Sequence, residues 1–181
     1  MNDTNNYSQK IIKKRKKCAF LDRDGVLIKD YKYVYKENQI KFLTGTVQAL
    51  KFLKNKKYKI VVITNQSGVG RGYFTENDVI KFHKILDKKI SNKKIIDKYY
   101  YCPFHPTKAF GKYKKDSKLR KPNNRIIQKA IRELKIDASK SFMIGDKRSD
   151  FIAAKKSNIK FSYKKGSLLK IVKKMVKSVE K

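Results

Sequence analysis

The sequence predicts a three-layer α/β domain with a mostly parallel central sheet. Three observations predict it. Short apolar runs alternate with helical stretches about five times, the pattern of strands joined by crossover helices. Several of the apolar runs end in clusters of polar or charged residues. The 181 residues are 40% hydrophobic and 12% aromatic, about one domain's length with enough apolar material for a core. Right-handed crossovers in such a Rossmann-like sheet bring the strand C-termini to one edge, where ligands bind.

The elements follow in order. Residues 1–16 are polar and then basic, ending in Lys13-Lys14-Arg15-Lys16 with no apolar stretch behind them. They read as a flexible, solvated tail and not a secretory signal. Residues 17–181 read as one domain. Cys18 to Leu21 is a short buried strand. Residues 44–56 place Val47, Leu50 and Leu53 on one helical face. Tyr58 to Ile63 is β-branched and reads as a central strand. Thr75 is placed to cap a helix, with Asp78 completing a capping-box variant. That helix runs to about Lys89, with Val79, Phe82 and Leu86 inward. Ile95–Tyr101 is the next strand, followed by a long loop over 102–121. Residues 123–135 are helical, with Ile126, Ile127, Ala130, Ile131 and Leu134 apolar. Ser141–Ile144 is a strand, 149–157 a short helix, and 159–163 a last strand. A helix over about 166–179 carries Leu168, Leu169, Val172, Met175 and Val176.

Composition excludes several classes. No stretch approaches 18 consecutive apolar residues, so no membrane span is expected. Cys18 and Cys102 cannot form a disulfide framework. The formal net charge of +33 first suggests a polyanionic partner. Yet seven arginines leave 41 lysines, spread over the whole chain. Readers of phosphates and bases lean on the arginine fork. A compositional bias therefore explains the lysines better than a dedicated nucleic-acid surface does.

The scarce acids carry more information. Asp22-Arg23-Asp24-Gly25 follows the first strand, and Gly145-Asp146-Lys147-Arg148-Ser149-Asp150 follows the fourth. Four of only 15 acids thus crowd two strand ends. Their mutual repulsion is relieved by a divalent cation. Two acids spaced D-x-D can share a crevice, one attacking phosphorus and the other handling protons. Thr64-Asn65, after the second strand, can hold phosphate oxygens. A lysine can neutralise charge spreading in a phosphoryl-transfer transition state.

The runs FLDRDGV, ITNQSG, RKP and IGDKRSD, in that order, resemble the four motifs of the haloacid dehalogenase superfamily of phosphatases. The longer runs TNQSGVGRGYFT, YYCPFHP and IGDKRSDFIAA resemble more closely the D-glycero-D-manno-heptose 1,7-bisphosphate phosphatases. The histidinol-phosphate phosphatases are near relatives. The resemblance covers residues 18–163 and implies a domain with little or no cap. It implies Asp22 as nucleophile and Asp24 as general acid and then base, with Thr64 and Lys121 stabilising the phosphoryl group. It implies Mg²⁺ held by Asp22, the Asp24 main-chain carbonyl and Asp146, with Asp150 as a ligand or an orienter of Lys121. Asp30, Tyr31, Lys32, Tyr33, Asn65, Gln66, Ser67, Arg120 and Lys147 fall where these enzymes contact the rest of their substrate. Lys121 is one of many lysines, and only its place in RKP distinguishes it.

The implied reaction is removal of the 7-phosphate from a heptose bisphosphate, a step toward nucleotide-activated heptose for surface polysaccharide. Histidinol-phosphate hydrolysis, 3′-end nucleic-acid phosphatase activity and a non-catalytic basic nucleic-acid-binding module are the rivals. A cytoplasmic monomer with no membrane partner is expected. The sequence departs from the resemblance at a zinc loop. These enzymes often carry Cys-x-His and then Cys-x-Cys before RKP. Here Cys102 is kept, Phe104 takes the histidine position, and Ser117 and Leu119 take the second pair. Tetrahedral structural zinc needs four ligands, so none is expected. Phe104, Phe110 and Tyr113 are expected to pack the loop instead.

Overall fold

The computed structural model describes residues 15–180. Most of the expected tail lies outside them, but Lys16 pairs with Ile136 in an isolated parallel bridge. Five strands follow: β1 (Cys18–Leu21), β2 (Lys59–Asn65), β3 (Lys98–Cys102), β4 (Phe142–Gly145) and β5 (Lys160–Tyr163). They form one sheet in the order β3-β2-β1-β4-β5, every pairing parallel. Five helices connect or follow them: α1 (Thr46–Asn55), α2 (Glu76–Ile90), α3 (Arg125–Leu134), α4 (Arg148–Lys155) and α5 (Leu168–Val179).

Alternation along each strand divides the core into two layers. Ala19, Leu21, Ile60, Val62, Phe142 and Ile144 face α1, α2 and α5, where Leu50, Leu53, Phe82, Leu86 and Val172 pack. Cys18, Phe20, Val61, Ile63 and Met143 face α3 and α4, meeting Ile126, Ile127, Ala130 and Ala153. Both faces of the inner strands are covered, which is why their sequences read as unbroken apolar runs. Thr75 caps α2 as expected: its hydroxyl accepts from Asp78 N at 3.2 Å, while Asp78 accepts from Thr75 N at 2.8 Å.

Some boundaries move. β2 runs on through Thr64 and Asn65 because β3 stays paired with it as far as Cys102. β3 begins at Lys98 and not Ile95. Ile95 and Ile96 are buried, but the Asp97 carboxylate takes the Ile60 N–H at 2.8 Å, and the ladder starts only after it. On α1 the buried face is Thr46, Ala49, Leu50 and Leu53, with Val47 only half-buried.

Between β1 and α1, residues 22–45 form a compact loop. Leu43 N bonds Leu27 O at 3.0 Å, and Lys29 N bonds Lys41 O at 2.9 Å. Among the described residues this loop, the short β2–α2 loop (66–75) and the β3–α3 loop (103–124) border the sheet edge. No separate cap domain is built.

Candidate active site at the sheet edge

The C-terminal ends of β1, β2 and β4 deliver their polar residues to one place. Asp22 stays in the β1–β4 ladder, its N–H bonding Ile144 O at 3.1 Å. Its carboxylate is buried beside Lys121, whose Nζ sits 3.0 Å from Asp22 Oδ2 and 2.6 Å from Asp150 Oδ1. Lys121 Nζ also donates to Ile63 O at 2.9 Å, which fixes the ammonium between the two carboxylates. Asp150, in the first turn of α4, accepts the Lys147 N–H with its other oxygen at 3.0 Å. Burial, with the nearby charges of Asp150 and Asp24, outweighs Lys121 and pushes the Asp22 carboxyl up to about 7.

Asp22, Asp146 and Asp150 each offer a carboxylate oxygen, and the three lie within 4.8 Å of one another. Asp146 Oδ1 is buried without a hydrogen-bond partner. In a chain with 48 cationic side chains, an unpaired carboxylate oxygen next to two others is a seat for an added cation. Two glycines make room for it. Gly25 has φ +82°, where only glycine is unstrained, and a Cβ there would overlap the Asp146 carboxylate. A Cβ at Gly145 would overlap Asp150. An oxygen-only donor set of this kind suits Mg²⁺.

Thr64, buried at the end of β2, accepts Gln66 Nε2 at 2.9 Å. Its own hydroxyl proton is left to donate. The same Gln66 nitrogen reaches Asp24 Oδ2 at 2.9 Å. Asn65 bridges to the other loop, its Oδ1 accepting Lys121 N and its Nδ2 donating to Lys121 O, both at 3.1 Å.

Above this floor lies a cleft of about 480 Å³. Asp24, Asp30, Lys32, Tyr33, Asn65, Gln66, Ser67, Arg120, Lys121 and Lys147 line it. Of the substrate-contact residues expected from the sequence, only Tyr31 falls outside the lining, with 43% of its surface exposed. Asp30 is tied on both sides, accepting Lys32 N at 2.9 Å and pairing with Lys147 Nζ at 3.0 Å. Hydrogen bonds from Lys147 and Lys32 hold its carboxyl below the usual range, against burial.

Two more arginines stand close by: Arg71, which the sequence offers as a possible substrate contact, and Arg23, which it does not single out. Arg71 lies over the Tyr33 ring at 5.3 Å, and its buried Nε has no partner. Its charge, after burial, helps lower the Arg120 pKa. Arg23 is wholly buried and grips Asp24. A sequence signal for it existed, because an arginine between two acids at a buried strand end must itself find a buried partner.

In the 68–72 loop, a Cβ at Gly68 would meet the Phe74 ring and one at Gly70 would meet Pro103 and Ala109, while Gly72, at φ +74°, has open space around it. At the loop where zinc was considered, Phe104 and Tyr113 pack at 5.9 Å, as expected. Phe110 does not: it is 71% exposed, and its backbone engages instead, the N–H donating to Gly70 O at 2.8 Å and the carbonyl accepting the Tyr113 N–H at 3.1 Å. His105 Nδ1 accepts the Lys108 N–H at 3.1 Å.

Known proteins match both the sequence and the fold of this chain. A family model described as haloacid dehalogenase-like hydrolase matches residues 111–163. The D-glycero-beta-D-manno-heptose-1,7-bisphosphate 7-phosphatase of Pasteurella multocida is 42% identical over 80% of this chain and 79% of its own. The protein of the same name from Haemophilus influenzae is 41% identical over 81% and 79%. A crystal structure of D,D-heptose 1,7-bisphosphate phosphatase from B. bronchiseptica, complexed with magnesium and phosphate, shares the fold. It superposes with a TM-score of 0.76 at 21% identity, covering 90% of this chain and 99% of that one.

Fold, carboxylate site and matches together define a haloacid dehalogenase-like hydrolase acting on phosphoric monoesters. Within that class, the chain belongs to the family of D-glycero-D-manno-heptose 1,7-bisphosphate 7-phosphatases.

Proposed function

We propose that this chain removes the 7-phosphate of D-glycero-D-manno-heptose 1,7-bisphosphate, using Mg²⁺, with Asp22 as nucleophile. The observation that carries the reading is the buried Asp22–Lys121–Asp150 cluster beside the unpartnered Asp146 oxygen. Asp22 attacks phosphorus, forming an aspartyl-phosphate as the P–O bond to the sugar breaks. Asp24 gives the leaving sugar oxygen a proton. It then takes one from the water that hydrolyses the aspartyl-phosphate. Thr64 donates its hydroxyl proton to a phosphoryl oxygen. As Asp22 becomes an acyl phosphate its carboxylate loses its charge, and the Lys121 N–H that faced it turns to the phosphoryl group. Asp150 keeps Lys121 in place throughout.

Asp22, Asp146 and the Asp24 main-chain carbonyl are the groups assigned to Mg²⁺, with Asp150 at its edge. When bound, the ion offsets the charge of the phosphoryl group and of the carboxylates around it. The second phosphate is assigned to the basic wall: Arg120, Lys147 and Lys32, with Arg71 behind. No structural zinc is assigned. Phe104, Ser117 and Leu119 stand at three ligand positions, and aromatic packing and backbone bonds hold the loop. The substrate assignment rests on the relatives' names and on the basic lining of the cleft.

Asp22→Asn tests the nucleophile. Phosphate release from the heptose bisphosphate should fall at least about 10³-fold, with the circular dichroism spectrum unchanged. A variant retaining turnover overturns the assignment. Comparing kcat/KM for heptose bisphosphate, histidinol phosphate and a 3′-phosphorylated oligonucleotide tests the substrate. Equal, low values for all three remove the sugar assignment. Metal analysis after stripping and reconstitution tests the loop, and stoichiometric, tightly held zinc refutes its zinc-free reading.

A further inference from the structure

Arg23 is the most deeply buried charge near the site that the mechanism leaves unused, with 0% of its surface exposed. Its guanidinium is spent almost entirely on two targets. Nε donates to Asp24 Oδ1 and Nη2 to Asp24 Oδ2, both at 3.0 Å, the bidentate fork that fixes a carboxylate in plane as well as in distance. Nη2 also donates to the Val34 carbonyl at 2.6 Å. Val34 closes the segment 30–34, which lines the cleft with Asp30, Lys32 and Tyr33. Lys32 and Tyr33 both hold positive φ, at 62° and 55°, a conformation that non-glycine residues keep only when their surroundings impose it.

The far side of Arg23 is built to hold the fork still. The guanidinium stacks on the Phe82 ring at 4.6 Å, and Nη1 lies 3.4 Å from His83 Nε2. Arginine can only donate, so that imidazole nitrogen accepts, and the ring is neutral. Burial and the Arg23 charge push His83 down to about 3. His83 is itself stacked on Tyr99 at 4.1 Å, and the Tyr99 hydroxyl donates to Asp87 at 2.7 Å. A single side chain thus ties the acid at the end of β1 to the loop that meets the sugar, braced from α2 and β3.

We propose that Arg23 is a positioning residue that sets the Asp24 carboxylate against the leaving oxygen and holds the 30–34 loop at the sugar. The proposal rests on the assignment of Asp24 as general acid above. A misplacement of about 1 Å costs on the order of 10²-fold, and a general acid contributes about 10²–10⁴-fold. A leaving group that needs no proton should escape most of that loss.

Two Arg23 variants and two substrates test it. Arg23→Lys keeps a buried cation but loses the fork; Arg23→Met keeps the length and loses the charge. With wild-type-like circular dichroism and cooperative unfolding confirmed, kcat/KM for the heptose bisphosphate should fall about 10²-fold in either folded variant. For 4-nitrophenyl phosphate, whose phenolate leaves unprotonated and has no sugar to seat, it should fall less than about 5-fold. A role in packing alone would lower both alike, and equal losses in the folded Arg23→Lys enzyme overturn the proposal. The second arm is a double-mutant cycle with Asp24→Asn. On that background Arg23→Lys should cost the heptose bisphosphate reaction at most about a tenth of its factor alone. A disabled Asp24→Asn enzyme in which Arg23→Lys still exacts its full factor overturns the positioning role while leaving Asp24 as the acid. An Asp24→Asn enzyme at full activity overturns the Asp24 assignment and the inference with it.

Discussion

Replacing Lys121 with methionine removes the ammonium that Asp22 and Asp150 share. Both contacts are short, 3.0 and 2.6 Å, and the lysine is 3% exposed, so water cannot take its place. At an effective dielectric of about 20, a unit-charge pair near 3 Å attracts by roughly 5 kcal/mol. Desolvation of both partners offsets part of that, and truncating one side of a buried pair is measured at about 3–5 kcal/mol. We expect Lys121→Met to lose about 3–5 kcal/mol of stability in chelator, a fall in Tm of roughly 6–20 °C. The loss should grow with pH. Asp22, already held up to about 7, moves higher without Lys121. At pH 6 it is largely protonated in both proteins, whereas at pH 8 only the variant must still keep it so. Added Mg²⁺ should restore part of the stability, since the cation binds the folded state alone. Turnover should fall about 10²–10³-fold, the usual cost of one donor to a transition-state oxyanion. Urea unfolding at pH 6 and pH 8, with chelator and with Mg²⁺, measures the stability terms. A folded variant within about 1 kcal/mol of wild type at pH 8 in chelator refutes the buried-charge reasoning.

Two further perturbations follow from the same geometry. Gly25→Ala forces a Cβ into left-handed backbone and against the Asp146 carboxylate. It should cost about 1–2 kcal/mol of stability and weaken Mg²⁺ binding at least about tenfold; calorimetric titration showing unchanged Mg²⁺ affinity would rule out the Asp146 seat. His83 is held neutral to about 3, against 6.5 for a free imidazole, by burial and by Arg23, with Tyr99 and Tyr101 also packed on it. Unfolding therefore takes up a proton between those values. Above pH 6.5 this costs nothing; as pH falls from there toward 3 it removes stability, about 5 kcal/mol in all. His83→Gln should flatten the stability profile over that range, and denaturant midpoints that fall as steeply in the variant would contradict the depressed His83.

The fold was legible because it depends on local patterning. Tyr58 to Ile63 is β-branched and apolar throughout, and a strand buried on both faces requires that. The Thr75–Asp78 capping box marked the start of α2 by its own hydrogen bonds. The edges were less legible. β3 starts where the Asp97 carboxylate stops taking the Ile60 N–H, a contact 37 residues apart that no local window contains. Phe110 is apolar yet 71% exposed, because its backbone and not its ring meets the neighbouring loop.

The candidate site divides the same way. By itself the sequence determined which residue types stand at the strand ends, since D-x-D, Thr-Asn, Arg-Lys-Pro and Gly-Asp each follow an apolar run or close a long loop. The +33 charge weakened as a signal, while the few acids left at those ends became the informative ones. Only the tertiary structure decided how those residues pair. It placed Lys121 between Asp22 and Asp150, left Asp146 Oδ1 without a partner, and turned Arg23 inward onto Asp24 and Val34. The physical reason is that burial makes each pairing obligatory: a buried charge must find its partner in space, and the partner's distance in sequence is irrelevant to that need.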